Sequence, residues 1–187
     1  MRKSPLLALL SAGLAAALAF PAHAEKKEQF DVCWTIYAGW MPWEYGATQG
    51  IVDKWAKKYG INIDVVQLND YVESINQYTA GQFDGCTMTN MDALTIPAAG
   101  GVDSTALIVG DFSAGADGIL VRGGSKDLKD LKGKTILLVE NSVSHYLLSR
   151  ALEWAHLQPS DVTIENVSDK DLAQVWRSGK GDAVVTW

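Results

Sequence analysis

Polar and apolar positions along this chain alternate between two periods, and the alternation predicts strand and helix in turn. Short runs rich in β-branched and aromatic residues read as strands, and stretches with apolar residues three or four apart read as helices. Phe30 to Tyr37 is expected to be a strand, Gly46 to Tyr59 a helix, Ile61 to Gln67 a strand, Val72 to Thr79 a helix and Asp84 to Met88 a strand. Ala93 to Ala99 predicts a short helix broken by Gly100-Gly101, and Thr105 to Val109 and Gly118 to Arg122 predict two more strands. Between these two strands, Gly110 to Gly118 is rich in Gly and Asp and reads as a crossing segment. After one helical turn at Asp127 to Leu131 the first order returns. Thr135 to Val139 is a strand, Val143 to Leu157 a helix, Val162 to Val167 a strand, Asp169 to Ser178 a helix and Asp182 to Trp187 a strand.

A motif repeats with the order. Gly81-Gln82-Phe83-Asp84-Gly85-Cys86 and Gly179-Lys180-Gly181-Asp182-Ala183-Val184 share Gly-x-x-Asp-small-apolar, each behind an amphipathic stretch. In each copy a Gly ends the helix in a left-handed cap, and Asp leads into a buried strand. Two similar α/β lobes follow, each a mostly parallel sheet flanked by helices: residues 25–110, a hinge or crossover region at 111–126, and residues 127–187.

The first residues indicate a compartment. Arg2 and Lys3 precede the apolar run Leu6 to Phe20, and Ala22-His23-Ala24 has the small-x-small form of a cleavage site. Residues 1–24 are therefore expected to be a signal peptide cut between Ala24 and Glu25. The run is short for a bilayer span, and no Cys stands at the cut for a lipid anchor. Without Arg2 and Lys3, fourteen basic residues face 22 acidic ones, a net charge of −8. Such a balance disfavours nucleic acid or an anionic membrane as partner. Export makes a Cys33–Cys86 bridge chemically accessible, but a bridge between adjacent parallel strands demands a narrow Cα separation. Two buried free thiols are expected.

Parallel sheets covered by helices place ligands beyond the carboxyl ends of their strands. The segments there are Tyr37 to Tyr45, Thr89 to Asp92, Gly110 to Ser113, Glu140 to Ser144, and Thr186-Trp187. None contains Lys or Arg. They offer Tyr37, Trp40, Trp43, Glu44, Thr89, Asn90, Asp92, Asp111, Ser142, Ser144 and Trp187 as candidate ligand-binding residues. Aromatic faces beside carboxylates suit a planar cation or a planar amide with N–H donors. Ser142 and Ser144 at a helix start can receive an anion, although an ordinary Ser N-cap explains them equally. Asp84 and Asp182 read as strand-entry caps.

The chain resembles the periplasmic substrate-binding proteins of ABC importers, in the nitrate, sulfonate and taurine branch with its thiamine-pyrimidine-synthase-like relatives. The resemblance is carried most specifically by Asp130-Leu131-Lys132-Gly133-Lys134-Thr135-Ile136 followed by Ser142-Val143-Ser144-His145-Tyr146-Leu147-Leu148. Trp34 to Trp43 together with Met88-Thr89-Asn90-Met91-Asp92-Ala93-Leu94 resembles, more narrowly, the subgroup associated with urea carboxylase operons. The resemblance implies a two-lobed type II binding-protein fold, periplasmic localisation, an inner-membrane permease as partner and a urea-like or guanidine-like nitrogen compound as cargo. It also implies a return of the chain to its first lobe, so lobe two is expected to be incomplete here and the chain truncated at its C-terminus. This branch commonly carries Gly before the first Ser of the lobe-two helix. Asn141 stands there instead, which argues against sulfonate, nitrate or taurine as ligand.

Enzymatic readings fit less well. Gly110 to Gly115 is not a nucleophile elbow, and Gly133-Lys134-Thr135 precedes a strand where a phosphate loop follows one. His145 and His156 are too far apart for one metal-binding helix face, and no motif matches the His and Cys centre of a pyrimidine synthase. The expectation is a monomeric binding protein without cofactor or catalysis. An enzyme of the pyrimidine-synthase type and an exported ligand sensor are the alternatives on the same fold.

Overall fold

The computed structural model describes residues 26–125 and 127–187; the expected leader and its Ala24–Glu25 cleavage site lie outside them. Two sheets form. The first has strands β1 (Gln29–Thr35), β2 (Asn62–Leu68) and β3 (Gly85–Cys86) in the order β2-β1-β3, all parallel. The second has β4 (Gly118–Val121), β5 (Thr135–Leu138), β6 (Thr163–Asn166) and β7 (Ala183–Thr186) in the order β4-β7-β5-β6. In it β5 pairs parallel with β6 and β7, and β4 pairs antiparallel with β7. Removing β4 leaves β6-β5-β7, the order of the first sheet, so the repeat in sequence is a repeat in topology.

The repeat extends to single atoms. Asp84 Oδ2 accepts the Asp31 N–H at 2.9 Å, while the Asp84 N–H donates to Asp31 O at 2.8 Å. Asp182 Oδ2 accepts the Thr135 N–H at 2.9 Å, and its own N–H donates to Thr135 O at 2.8 Å. Each motif Asp thus clasps the first strand of its own lobe. The glycines ahead of them, Gly81 and Gly179, have φ of 76° and 92°, the left-handed region where a Cβ is unfavourable.

The helices are α1 (Met41–Thr48), α2 (Ile51–Tyr59), α3 (Tyr71–Thr79), α4 (Asn90–Thr95), α5 (Val143–Trp154) and α6 (Asp169–Arg177). In lobe two the sheet is covered on both sides. Ile136, Leu138, Ala183 and Val185 pack with Leu148 and Leu152 of α5, whereas Leu137 and Val184 pack with Leu172 of α6. Successive strand residues point to opposite faces, so a fully apolar run is what a sheet buried on both faces requires.

Three expectations are corrected. Helix does not run unbroken from Gly46 to Tyr59: helical turns begin already at Ala38, and the chain breaks between α1 and α2 at Gly50, whose φ is 66°. Pro42, in the first turn of α1 with φ suited to a helix start, favours the earlier beginning. Thr105 to Val109 is not a strand. No described strand lies beside it, and Leu107, Ile108 and Val109 are 88%, 72% and 71% exposed; extended apolar residues without a ladder partner are not a sheet. Finally, Cys33 and Cys86 form a disulfide and are not free thiols. They are register partners on β1 and β3, with Cα atoms 4.6 Å apart, inside the range that a bridge spans.

Candidate functional site

The carboxyl ends of both sheets face one another, and the residues there make a chain of aromatic contacts. Trp40 lies 4.9 Å from Tyr37 edge-on and 5.4 Å from Tyr71, and Tyr71 lies 5.8 Å edge-on from Trp187 of β7's end, all between ring centroids. Tyr71 is the first residue of α3, which Asp70 caps by accepting the Glu73 N–H at 2.9 Å. The Tyr71 N–H, one of the unsatisfied donors of that helix start, donates to Asp169 Oδ1 of lobe two at 3.2 Å. Backbone of one lobe is thus satisfied by a side chain of the other.

Beneath Tyr71 sits Asp92. The Tyr71 hydroxyl donates to Asp92 Oδ2 at 2.5 Å, Thr89 Oγ1 donates to the same oxygen at 2.8 Å, and the Tyr71 oxygen accepts the Thr89 N–H at 3.0 Å. Thr89 also caps α4 by accepting the Asp92 N–H at 3.1 Å. Asp92 is fully buried, and its second oxygen, Oδ1, has no partner. Burial raises the Asp92 carboxyl above its ordinary range, against the lowering effect of the two hydroxyls. Burial, and then the Asp92 charge, raise the Tyr71 phenol well above its ordinary range, so it acts as a donor. A dry, unpaired carboxylate oxygen costs free energy; a donor brought by a ligand would relieve it.

Lobe two contributes the start of α5. Ser142 caps it, accepting the Ser144 N–H at 3.2 Å and donating to Val139 O at 2.7 Å. Ser144 is buried and its hydroxyl has no partner. Asn141 takes φ 61°, the left-handed conformation that Gly reaches freely and Asn tolerates. The exchange of Gly for Asn therefore keeps the backbone turn ahead of the helix, and by itself does not remove an anion site. Between the α5 start and helices α3 and α4 lies a cleft of about 530 Å³, with Val72, Asn76 and Met91 on one wall and Ser142, His145 and Tyr146 on the other. No Lys or Arg lines it. A hollow of about 360 Å³ near Leu152, His156 and Pro159 lies within lobe two, away from the strand ends.

Not every expected residue joins. Tyr37, Trp40, Thr89, Asp92 and Trp187 form one connected group, and Ser142 lines the neighbouring cleft. Asp111 stands near Tyr37 beside Gly39, and its carboxylate, with burial, holds the Tyr37 phenol above the ordinary range. A Cβ on Gly39 would meet Asp111 Oδ2 at 2.0 Å, so the close approach needs Gly there. Trp43 and Glu44 lie on α1, outside the ring contacts that join Trp40, Tyr71 and Trp187, and Asn90 is exposed on the first turn of α4. Tyr71 and Asp169 were missed. Both stand just beyond strand ends, those of β2 and β6, and the strand-end rule applied to every strand would have found them.

Two facing α/β sheets with an aromatic and carboxylate cleft at their strand ends define a two-lobed binding-protein fold. The family model described as NMT1/THI5 like matches residues 57–187, and the chain belongs to that family. Among solved structures the chain is similar to the alkanesulfonate-binding protein SsuA from Xanthomonas axonopodis pv. citri bound to MOPS, with 19% identity and a TM-score of 0.67 over 88% of this chain and 56% of that one. The periplasmic aliphatic sulphonate binding protein SsuA from Escherichia coli gives 20% identity and a TM-score of 0.60 over 87% and 52%. An ancestral arginine-binding protein bound to arginine gives 21% and 0.52 over 86% and 70%. The chain thus spans just over half the length of the two sulfonate-binding proteins. No curated protein matches it in sequence.

Proposed function

We propose that this protein is the solute-binding component of an ABC importer, which captures a small nitrogen compound in the periplasm and delivers it to an inner-membrane permease. The ligand is urea or a guanidine-like compound, bound by a monomer without cofactor or covalent chemistry. One observation carries the reading: Asp92, fully buried and bonded to Tyr71, whose ring meets Trp40 and Trp187, keeps one carboxylate oxygen unpaired, and no Lys or Arg lines the adjoining cleft. An amide or amidinium N–H supplies the missing donor, and the rings supply a stacking wall. Both cysteines are spent in one bridge, which leaves no thiol for the His and Cys centre of pyrimidine-synthase chemistry.

Titration calorimetry of urea, guanidinium, nitrate and taurine against the protein tests this. Saturable binding of urea or guanidinium and none of the anions is expected. A second reading, a sulfonate held at the start of α5, is favoured by the unpartnered Ser144 hydroxyl and by the likeness to two sulfonate-binding proteins. Tight taurine binding without guanidinium binding would establish that reading in place of the first.

A further inference from the structure

Helix α2 (Ile51–Tyr59) turns an aromatic and basic face to solvent. Ile51, Trp55 and Tyr59 recur every four residues and share one side of the helix, and they are 44%, 47% and 63% exposed. The helix packs on its lobe through Ala56, which is buried, so this apolar stripe is additional to the one that holds it in place. The Trp55 and Tyr59 rings stack 6.4 Å apart. Lys58 Nζ stands 4.6 Å from the Trp55 centroid and 5.7 Å from that of Tyr59, and Lys54 Nζ stands 5.9 Å from Trp55. With Lys57, the helix carries three lysines against the single Asp53, in a chain whose net charge is −6. The local sign is opposite to that of the molecule.

We propose that this face of α2 rests on an anionic phospholipid bilayer. Trp and Tyr rings settle at headgroup depth, and lysines around an apolar stripe pair with anionic headgroups. The acidic remainder of the chain is repelled by the same surface, so contact through α2 orients the molecule as well as holding it. An acidic protein would satisfy the lysines. The exposed rings of Trp55 and Tyr59, each faced by an ammonium group, favour the lipid interface. This inference is independent of the ligand's identity.

The test is co-sedimentation of the protein recovered after export. Vesicles of phosphatidylglycerol mixed with phosphatidylcholine are compared with phosphatidylcholine alone at low salt. Binding to the anionic vesicles only is expected, weakening as salt shortens the range of the attraction. Exchanging Lys54, Lys57 and Lys58 for Gln should lower partitioning about fivefold per lysine. The double change Trp55→Ala and Tyr59→Ala should also lower it, with the helical circular-dichroism signal kept because Ala favours helix. No binding to anionic vesicles at low salt overturns the proposal, as does equal binding by the wild type and the lysine variant. Retention on immobilised polyglutamate without vesicle binding overturns it in favour of an acidic protein partner.

Discussion

The Tyr71 hydroxyl donates to Asp92 Oδ2 across 2.5 Å while its oxygen accepts the Thr89 N–H at 3.0 Å, so one phenol ties the start of α3 to the cap of α4. Tyr71→Phe leaves the Thr89 N–H without its acceptor and Asp92 with a single hydroxyl donor. Stability should fall by about 1–3 kcal/mol, the cost of stranding buried polar groups. Thermal melting is the measurement to use, because urea and guanidinium are candidate ligands. An unchanged melting temperature would show that the phenol is not a clamp.

The Asp92 carboxyl also sets a pH dependence. Burial raises its folded-state pKa above the ordinary carboxylate value. Such an acid holds more protons folded than unfolded between the two values, so its contribution to stability declines as pH rises through that window. Asp169, raised first by burial, adds in the same direction. Asp92→Asn should flatten the melting temperature against pH over this range, and an unaltered profile would assign the dependence elsewhere.

The same substitution separates the two proposed cargoes. A cation draws Asp92 toward its ionised form, so guanidinium affinity should drop as pH falls and should drop more in Asp92→Asn than urea affinity does. Calorimetry at two pH values on both proteins is sufficient, and equal losses for the two ligands would place the cation contact away from Asp92.

Trp40, half-buried and 5.4 Å from Tyr71, is the proposed stacking wall. Trp40→Ala should weaken ligand binding by about 1–2 kcal/mol, roughly five- to thirtyfold. Fluorescence titration with the preferred ligand reads this directly, and unchanged affinity would remove Trp40 from the site.

The bridge between Cys33 and Cys86 closes a loop with a sequence separation of 53. Reduction should lower stability by about 2–4 kcal/mol, visible as a lower melting temperature with reductant. A thiol assay on the unreduced, denatured protein should find no free sulfhydryl, whereas two would return both cysteines to the thiol form.

Outside Thr105 to Val109 and the break at Gly50, the sequence by itself determined the strand and helix order, and with it the doubled Gly-x-x-Asp unit and the two-lobed α/β class. These rest on side-chain period and on glycine's backbone freedom, which act within a few residues. Even the clasp made by Asp84 and Asp182 was legible as a strand-entry role, because the motif places the carboxylate beside the strand it serves. Strand ends follow from strand order, and of the eleven residues that this points to, the structure brings Tyr37, Trp40, Thr89, Asp92 and Trp187 into one connected group. What only the tertiary structure decided were relations between distant segments. The 4.6 Å separation of Cys33 and Cys86 follows from β1 and β3 pairing in one register. Thr105 to Val109 has strand composition, but a strand needs a neighbour's ladder and none of the described strands lies beside it. The Tyr71 N–H meets Asp169 across 98 residues of sequence, and Asp92 keeps one oxygen dry because the structure closes over it. Local pattern carries no record of which far residue fills the space above a strand end; packing of the two lobes against each other settles that.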